Sequence, residues 1–137
     1  MALTVHINSF SYKKSGIPSD PSGHGGGFVF DCRFIYNPGR KEEFKMQTGL
    51  DKDVIIFLES QKEMEKFLKS VYGIIDMAIE NYIERDFTDL MISFGCTGGQ
   101  HRSVYASEKT KKHISNKFPD VNIILRHLQI EKGLNTG

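Results

Sequence analysis

No stretch of the sequence approaches the roughly 18 consecutive apolar residues of a membrane span, and the opening MALTVHINSFSY has no charged segment leading into an apolar one. Neither a spanning helix nor a secretory leader is therefore expected, which points to a cytoplasmic protein without a membrane partner. Cysteine is scarce. Cys32 and Cys96 are too few for a disulfide framework, and no CxxC or Cys/His pair has zinc-site spacing, so no metal is expected and a reducing compartment fits. An excess of one charge is missing too: 18 basic against 17 acidic residues leave a net +1, so attraction to nucleic acid would have to come from a local patch. The patterns GxxxxGK followed by Ser or Thr and GxGxxG do not occur, which argues against a Walker loop and a dinucleotide fold.

What is present is an ordinary globular composition. With 137 residues, 39% hydrophobic and 26% charged, the chain is large enough to bury one core and has no compositional sign of disorder. Apolar and polar residues alternate over 3–12, with β-branched Thr4, Val5 and Ile7, and predict a first strand. Residues 15–27 are dense in Gly, Pro and Ser and read as a long, mobile loop of the kind that often carries function. FVFDCRFI at 28–35 predicts a second strand. Its charged Asp31 and Arg33 would share one face, either as a paired edge position or as ligand contacts.

Asn37-Pro38-Gly39 is a turn, 41–48 a polar connector, and Asp51 a cap for a helix beginning near Lys52. A longer helix over 63–85 presents Phe67, Leu68, Val71, Ile74, Ile75, Ala78, Ile79 and Tyr82 at core spacing. LMISF at 90–94 is a buried strand, 104–118 a helix, and VNIIL at 121–125 the last strand. A charged tail follows over 126–137, flexible from about 131. The predicted fold is a single compact α/β domain in which helices flank a short mixed sheet.

Between the 90–94 strand and the helix lies GCTGGQHRS, residues 95–103. Glycines at such a junction let backbone amides approach an anion without Cβ interference, and the helix N-terminus adds its positive dipole end. Cys96 and Arg102 stand in the order Cys, five residues, Arg, with Ser103 next. That is also the spacing of cysteine-dependent phosphatases, in which a thiolate attacks phosphorus and an arginine clamps the oxygens. Cys96 is then either a nucleophile or an inert buried thiol. His101 either faces the anion or rests on the surface.

The motif GCTGGQHRSVYASE resembles the C-terminal domain of the RapZ family, RNase adapter proteins also described as nucleotide-binding proteins of the YvcJ type. The similarity continues, in order, through Ser9-Phe10, Gly16-Ile17-Pro18, Phe30-Asp31-Cys32-Arg33-Phe34, Asn37-Pro38, Thr48-Gly49-Leu50-Asp51, Arg126-His127 and Glu131-Lys132. The resemblance implies a domain similar to a phosphofructokinase subdomain, without the N-terminal P-loop domain of full-length members. It implies binding of glucosamine-6-phosphate, contact with small regulatory RNA or a ribonuclease, and assembly into homo-oligomers, with no cofactor. By position it assigns Asp31, Arg33, Thr97, Gly98, Gly99, His101 and Arg102 to the sugar-phosphate pocket; Cys96 and Ser103 flank the same loop. Three departures stand out: a longer, glycine-rich segment between Gly16 and Phe28, Gly39 in place of a side chain, and a tail without the family's basic cluster.

A non-catalytic sensor of a phosphorylated sugar, coupled to small RNA, is the preferred reading. The alternatives are an RNA-binding adapter without sensing, using Lys13, Lys14, Lys109, Lys111, Lys112, Lys117 and Arg126, and a phosphatase with Cys96 as nucleophile, Arg102 as clamp and Asp31 as acid.

Overall fold

The computed structural model describes residues 2–133. Four strands, β1 (Thr4–Ser11), β2 (Gly27–Asp31), β3 (Asp89–Cys96) and β4 (Asn122–His127), form one sheet in the order β2-β3-β1-β4. Every pairing is parallel, so the sheet is not mixed as expected from the sequence. The 12–26 connection contains no helix and reads like a hairpin loop. However, its 15 residues reach about 50 Å when extended, and the eight-residue β1 spans only about 26 Å. It can therefore run the length of the sheet and re-enter in parallel.

Side-chain alternation gives the sheet two different faces. Val5, Ile7, Leu90, Ile92 and Phe94 are buried on the side covered by α1 (Lys52–Glu59), α2 (Lys62–Glu84) and α3 (Arg102–Lys117). On α2 the residues Met64, Leu68, Val71, Ile75 and Ile79 recur every three or four positions and are buried, as helical packing on a sheet requires. Ile74, expected in that stripe, is instead exposed. His6, Asn8, Met91, Ile124 and Arg126 lie on the other face, where Pro18, Ser19 and Pro21 of the crossover meet them. The crossover is tethered by Asp20, whose carboxylate accepts from the Ser22 and Gly26 amides at 2.9 and 3.1 Å.

The connection from β1 to β2 thus travels one way on one face, and the helical connections travel the other way on the opposite face. This gives every crossover the same hand, the condition that parallel crossovers obey. The remaining boundaries differ from expectation for identifiable reasons. β2 stops at Asp31 rather than 35, because the carbonyls beyond it turn toward Arg102. Asp51 does precede α1, but its carboxylate accepts from the Thr48 amide at 2.7 Å and does not cap the helix. Two 3-10 turns, Pro38–Arg40 and Glu42–Phe44, occupy the connector. The 126–133 segment, expected to be a charged tail, continues β4 to His127 and forms a short helix, α4 (Leu128–Lys132), while the end of the expected flexible tail, 134–137, lies outside the described residues.

Candidate functional site

In an open parallel sheet, ligands bind outside the carboxyl ends of the strands, where successive connections leave on opposite faces. That point lies between β1 and β3, since the chain leaves Ser11 for one face and Cys96 for the other. A cavity of about 270 Å³ opens there, lined by Tyr12, Lys13, Arg33 and Thr97.

The glycine loop reaches it through Thr97. Gly99 has φ of +65°, a left-handed conformation that glycine adopts without a side-chain clash, and such a residue turns neighbouring amides toward one side. Among the described residues, no protein acceptor meets the amides of Gly98 or Gly99. The loop is tied to β1 by the Ser11 hydroxyl, which donates to the Thr97 carbonyl at 2.6 Å. Gln100 fastens its far side, with Nε2 donating to the carbonyls of Lys45 and Gln47 at 2.7 and 2.6 Å.

Asp31 and Arg33 meet at the rim even though they do not share a strand. Arg33 donates to the Asp31 carboxylate through Nε at 3.0 Å and Nη2 at 2.8 Å, and its guanidinium lies 3.8 Å over the Tyr12 ring. These hydrogen bonds hold the Asp31 carboxyl below its ordinary pKa, so it is ionised. Both side chains are half-exposed and open to a ligand.

Arg102 is anchored by backbone. It is 4% exposed, and Nη1 donates to the carbonyls of Arg33 and Ile35 at 2.8 Å each and to Cys32 at 3.4 Å. Its Nε is buried without a partner. Arg102 thus holds the 32–35 turn, and with it Arg33, in place at the rim. His101, 5% exposed, likewise turns inward, with Nε2 2.8 Å from the Phe44 carbonyl. Burial pushes its pKa down, so the ring is neutral near pH 7. Because the depressed pKa belongs to the folded state, this stabilisation is complete above about pH 6.5 and is lost as pH falls toward the folded value. Urea midpoints should therefore decline from pH 7 to pH 5, and His101→Gln should flatten that decline.

Cys96 is 2% exposed, and its Sγ–H donates to the Ser103 hydroxyl at 3.1 Å. Cys32 is buried nearby, and burial pushes its thiol well above the ordinary value. Gly39, where a family side chain is missing, approaches the His101 ring: a Cβ there would stand 3.3 Å from Cε1.

The candidate RNA cations do not converge. Lys13 lines the cavity and Lys14 lies just beyond it, whereas Lys109 and exposed Lys112 belong to α3 on one face and Arg126 sits on the other. Lys109 stands 3.6 Å from Glu59, Lys117 2.9 Å from Asp76, and Arg126 2.8 Å from Glu131. Sequence reasoning missed Tyr12 and Gln100 and placed Lys13 with the RNA cations. The position of Tyr12 and Lys13 just past a strand end was the available signal.

The sequence model of the family described as RapZ C-terminal domain matches residues 3–131. A nucleotide-binding protein of Glaesserella parasuis serovar 5 is 37% identical over 135 residues, covering 98% of this chain and 44% of that protein. One from Pseudoalteromonas atlantica is 38% identical over 130 residues, covering 95% and 43%, and one from Fervidobacterium nodosum is 36% identical over 131 residues, covering 96% and 44%. The chain spans a little under half the length of these relatives.

Proposed function

Because the chain belongs to the RapZ C-terminal domain family, we propose that the crevice between β1 and β3 senses a small phosphorylated sugar without transforming it. The observation that carries this reading is the pair of unmet amides at Gly98 and Gly99, in the loop whose Thr97 lines a cavity together with Arg33 and Lys13. Two amides, a guanidinium and an ammonium suit a doubly charged phosphate. At about 270 Å³ the cavity falls near the lower limit of small-molecule sites, roughly 300–1,000 Å³. That favours a monosaccharide phosphate over a dinucleotide. The ionised Asp31 carboxylate at the rim can receive hydroxyl or ammonium donors, which makes an amino-sugar phosphate such as glucosamine-6-phosphate the ligand of choice.

Catalysis has less support, since the thiol that would attack phosphorus is buried against Ser103 and the arginine that would clamp the oxygens is engaged with backbone carbonyls. Arg102 acts in this proposal from behind, by fixing the turn that carries Arg33. Coupling to a small regulatory RNA or a ribonuclease, and self-association, rest on the family resemblance. On this chain the candidate cations lie on different faces, so the sensor reading stands ahead of a basic RNA surface.

Ligand-induced stabilisation tests the proposal. Glucosamine-6-phosphate at 100 times its dissociation constant should add about 2.7 kcal/mol to unfolding, and glucosamine should add none. Arg33→Ala should abolish the gain while leaving the unfolding midpoint of the ligand-free protein essentially unchanged, because the Arg33–Asp31 pair is half-exposed. An undiminished gain in Arg33→Ala would move the site elsewhere.

A further inference from the structure

An exposed arginine ordinarily gives up rotamer freedom when it seizes an anion, and that loss weakens binding. Arg33 is instead held on two sides by the protein itself. Along its side edge, Nε and Nη2 donate to the two Asp31 carboxylate oxygens at 3.0 and 2.8 Å, and the Arg33 amide donates to the same carboxylate at 2.8 Å. On one face, Cζ stands 3.8 Å from the centre of the Tyr12 ring. Two of the five guanidinium N–H groups are thereby used. Among the described residues no protein acceptor meets Nη1, so the end edge formed by Nη1 and Nη2 stays open.

Tyr12 is itself firmly seated. Its amide carries the β1–β3 ladder one residue past Ser11, donating to the Cys96 carbonyl at 3.0 Å. Its ring meets that of fully buried Phe10 edge to face, with centroids 4.8 Å apart. Burial and the neighbouring Asp31 carboxylate push the phenol above its ordinary pKa, so the ring is neutral and offers an electron-rich face to the cation. Among the described residues the Tyr12 hydroxyl has no hydrogen-bond partner, which leaves the ring as the part that acts. Tyr12 and Arg33 line one cavity together with Lys13 and Thr97.

We propose that Tyr12 is the positioning residue of the anion site: its ring, with Asp31 on the side edge, aims the open Nη1–Nη2 edge of Arg33, and the ligand is gripped there. The inference rests on the phosphate reading of the crevice and adds to it the edge by which the phosphate is held. Two parallel N–H groups in one plane match two oxygens of a single phosphate, and because their orientation is set in advance, little order is lost on binding. Asp31 keeps its part in the ligand reading, since Oδ2 accepts one bond from Arg33 and has a lone pair left for a ligand donor.

The test is calorimetric titration of the full chain with inorganic phosphate and with glucosamine-6-phosphate. Tyr12→Leu, which keeps bulk and loses the ring face, should weaken binding of both about three- to tenfold. Tyr12→Phe keeps the face and should bind like the unaltered chain. In an Arg33→Lys background the Tyr12→Leu change should cost less than about twofold, because an ammonium has no planar edge to aim. Undiminished binding by Tyr12→Leu, or the same fold loss with and without Arg33→Lys, would overturn the role of Tyr12 and leave the phosphate site standing. Absence of binding by the unaltered chain would overturn both. Should Tyr12→Leu fail to fold, side-chain NMR relaxation on the unaltered, ligand-free chain decides the matter: the Arg33 Nε–H should be more ordered than that of exposed Arg40, and equal disorder of the two would overturn the proposal.

Discussion

Arg102→Ala is expected to lower the unfolding free energy by about 3–5 kcal/mol, since it strips the carbonyls of Cys32, Arg33 and Ile35 of one charged donor that is itself buried. The Cys32 carbonyl keeps the Ile35 amide as a donor at 3.2 Å, so two carbonyls are orphaned, at about 1–3 kcal/mol each, and partial entry of water keeps the total below the sum of the full penalties. Urea denaturation provides the measurement. Arg102→Lys should fall between, because an ammonium can meet some of the carbonyls but lacks the planar fork. Ligand binding should weaken in whatever fraction still folds, since the 32–35 turn that places Arg33 is no longer held. The contrast with Arg33→Ala is the informative part: one variant loses stability first and binding as a result, the other loses binding alone. A fully stable Arg102→Ala that fails only to bind phosphate would mean that the guanidinium serves the ligand directly.

A second large effect is expected at Gly49, where the chain is pressed against the first turn of α3. Its amide donates to the Gln100 carbonyl at 2.9 Å. A Cβ there would overlap the His101 carbonyl oxygen and stand 2.6 Å from the Tyr105 nitrogen. Both obstacles are backbone, so neither can rotate aside. Gly49→Ala should cost about 2–3 kcal/mol as an overpacking change and should also reduce ligand affinity, because α3 and the glycine loop are displaced together. Gly98→Ala supplies the control: nothing lies within 4 Å of a Cβ at that position, and stability should stay within about 0.5 kcal/mol. Equal stability of the two variants would show that the close approach at Gly49 relaxes freely.

The strand, glycine loop and helix around Gly95 and Ser103 were legible because each depends on local chemistry: an apolar run, two glycines that permit a tight turn, and a helical period. The direction of Arg102 was not. Spacing from Cys96 locates the residue, but the carbonyls that capture it belong to residues some 70 positions earlier, and no local pattern marks them. The same capture explains why FVFDCRFI reads as one strand yet leaves the sheet after Asp31. Parallel pairing of β2 was hidden by a crossover without a helix, and only chain length hinted that it could span the sheet. α4 escaped notice because five residues carry no period; its place is set by contact with β1 and by buried Gln129, both tertiary effects.

The two supports behind the crevice respond differently to acid. A guanidinium stays charged at any pH a protein survives, so the clamp on residues 32–35 does not titrate. The support beside Phe44 and Gln47 runs partly through a neutral imidazole, which burial makes harder to protonate than a free one and which becomes costly to keep buried once acid charges it. Acidification should accordingly release the 42–47 segment before the rim that carries Arg33, so the crevice would loosen from one side.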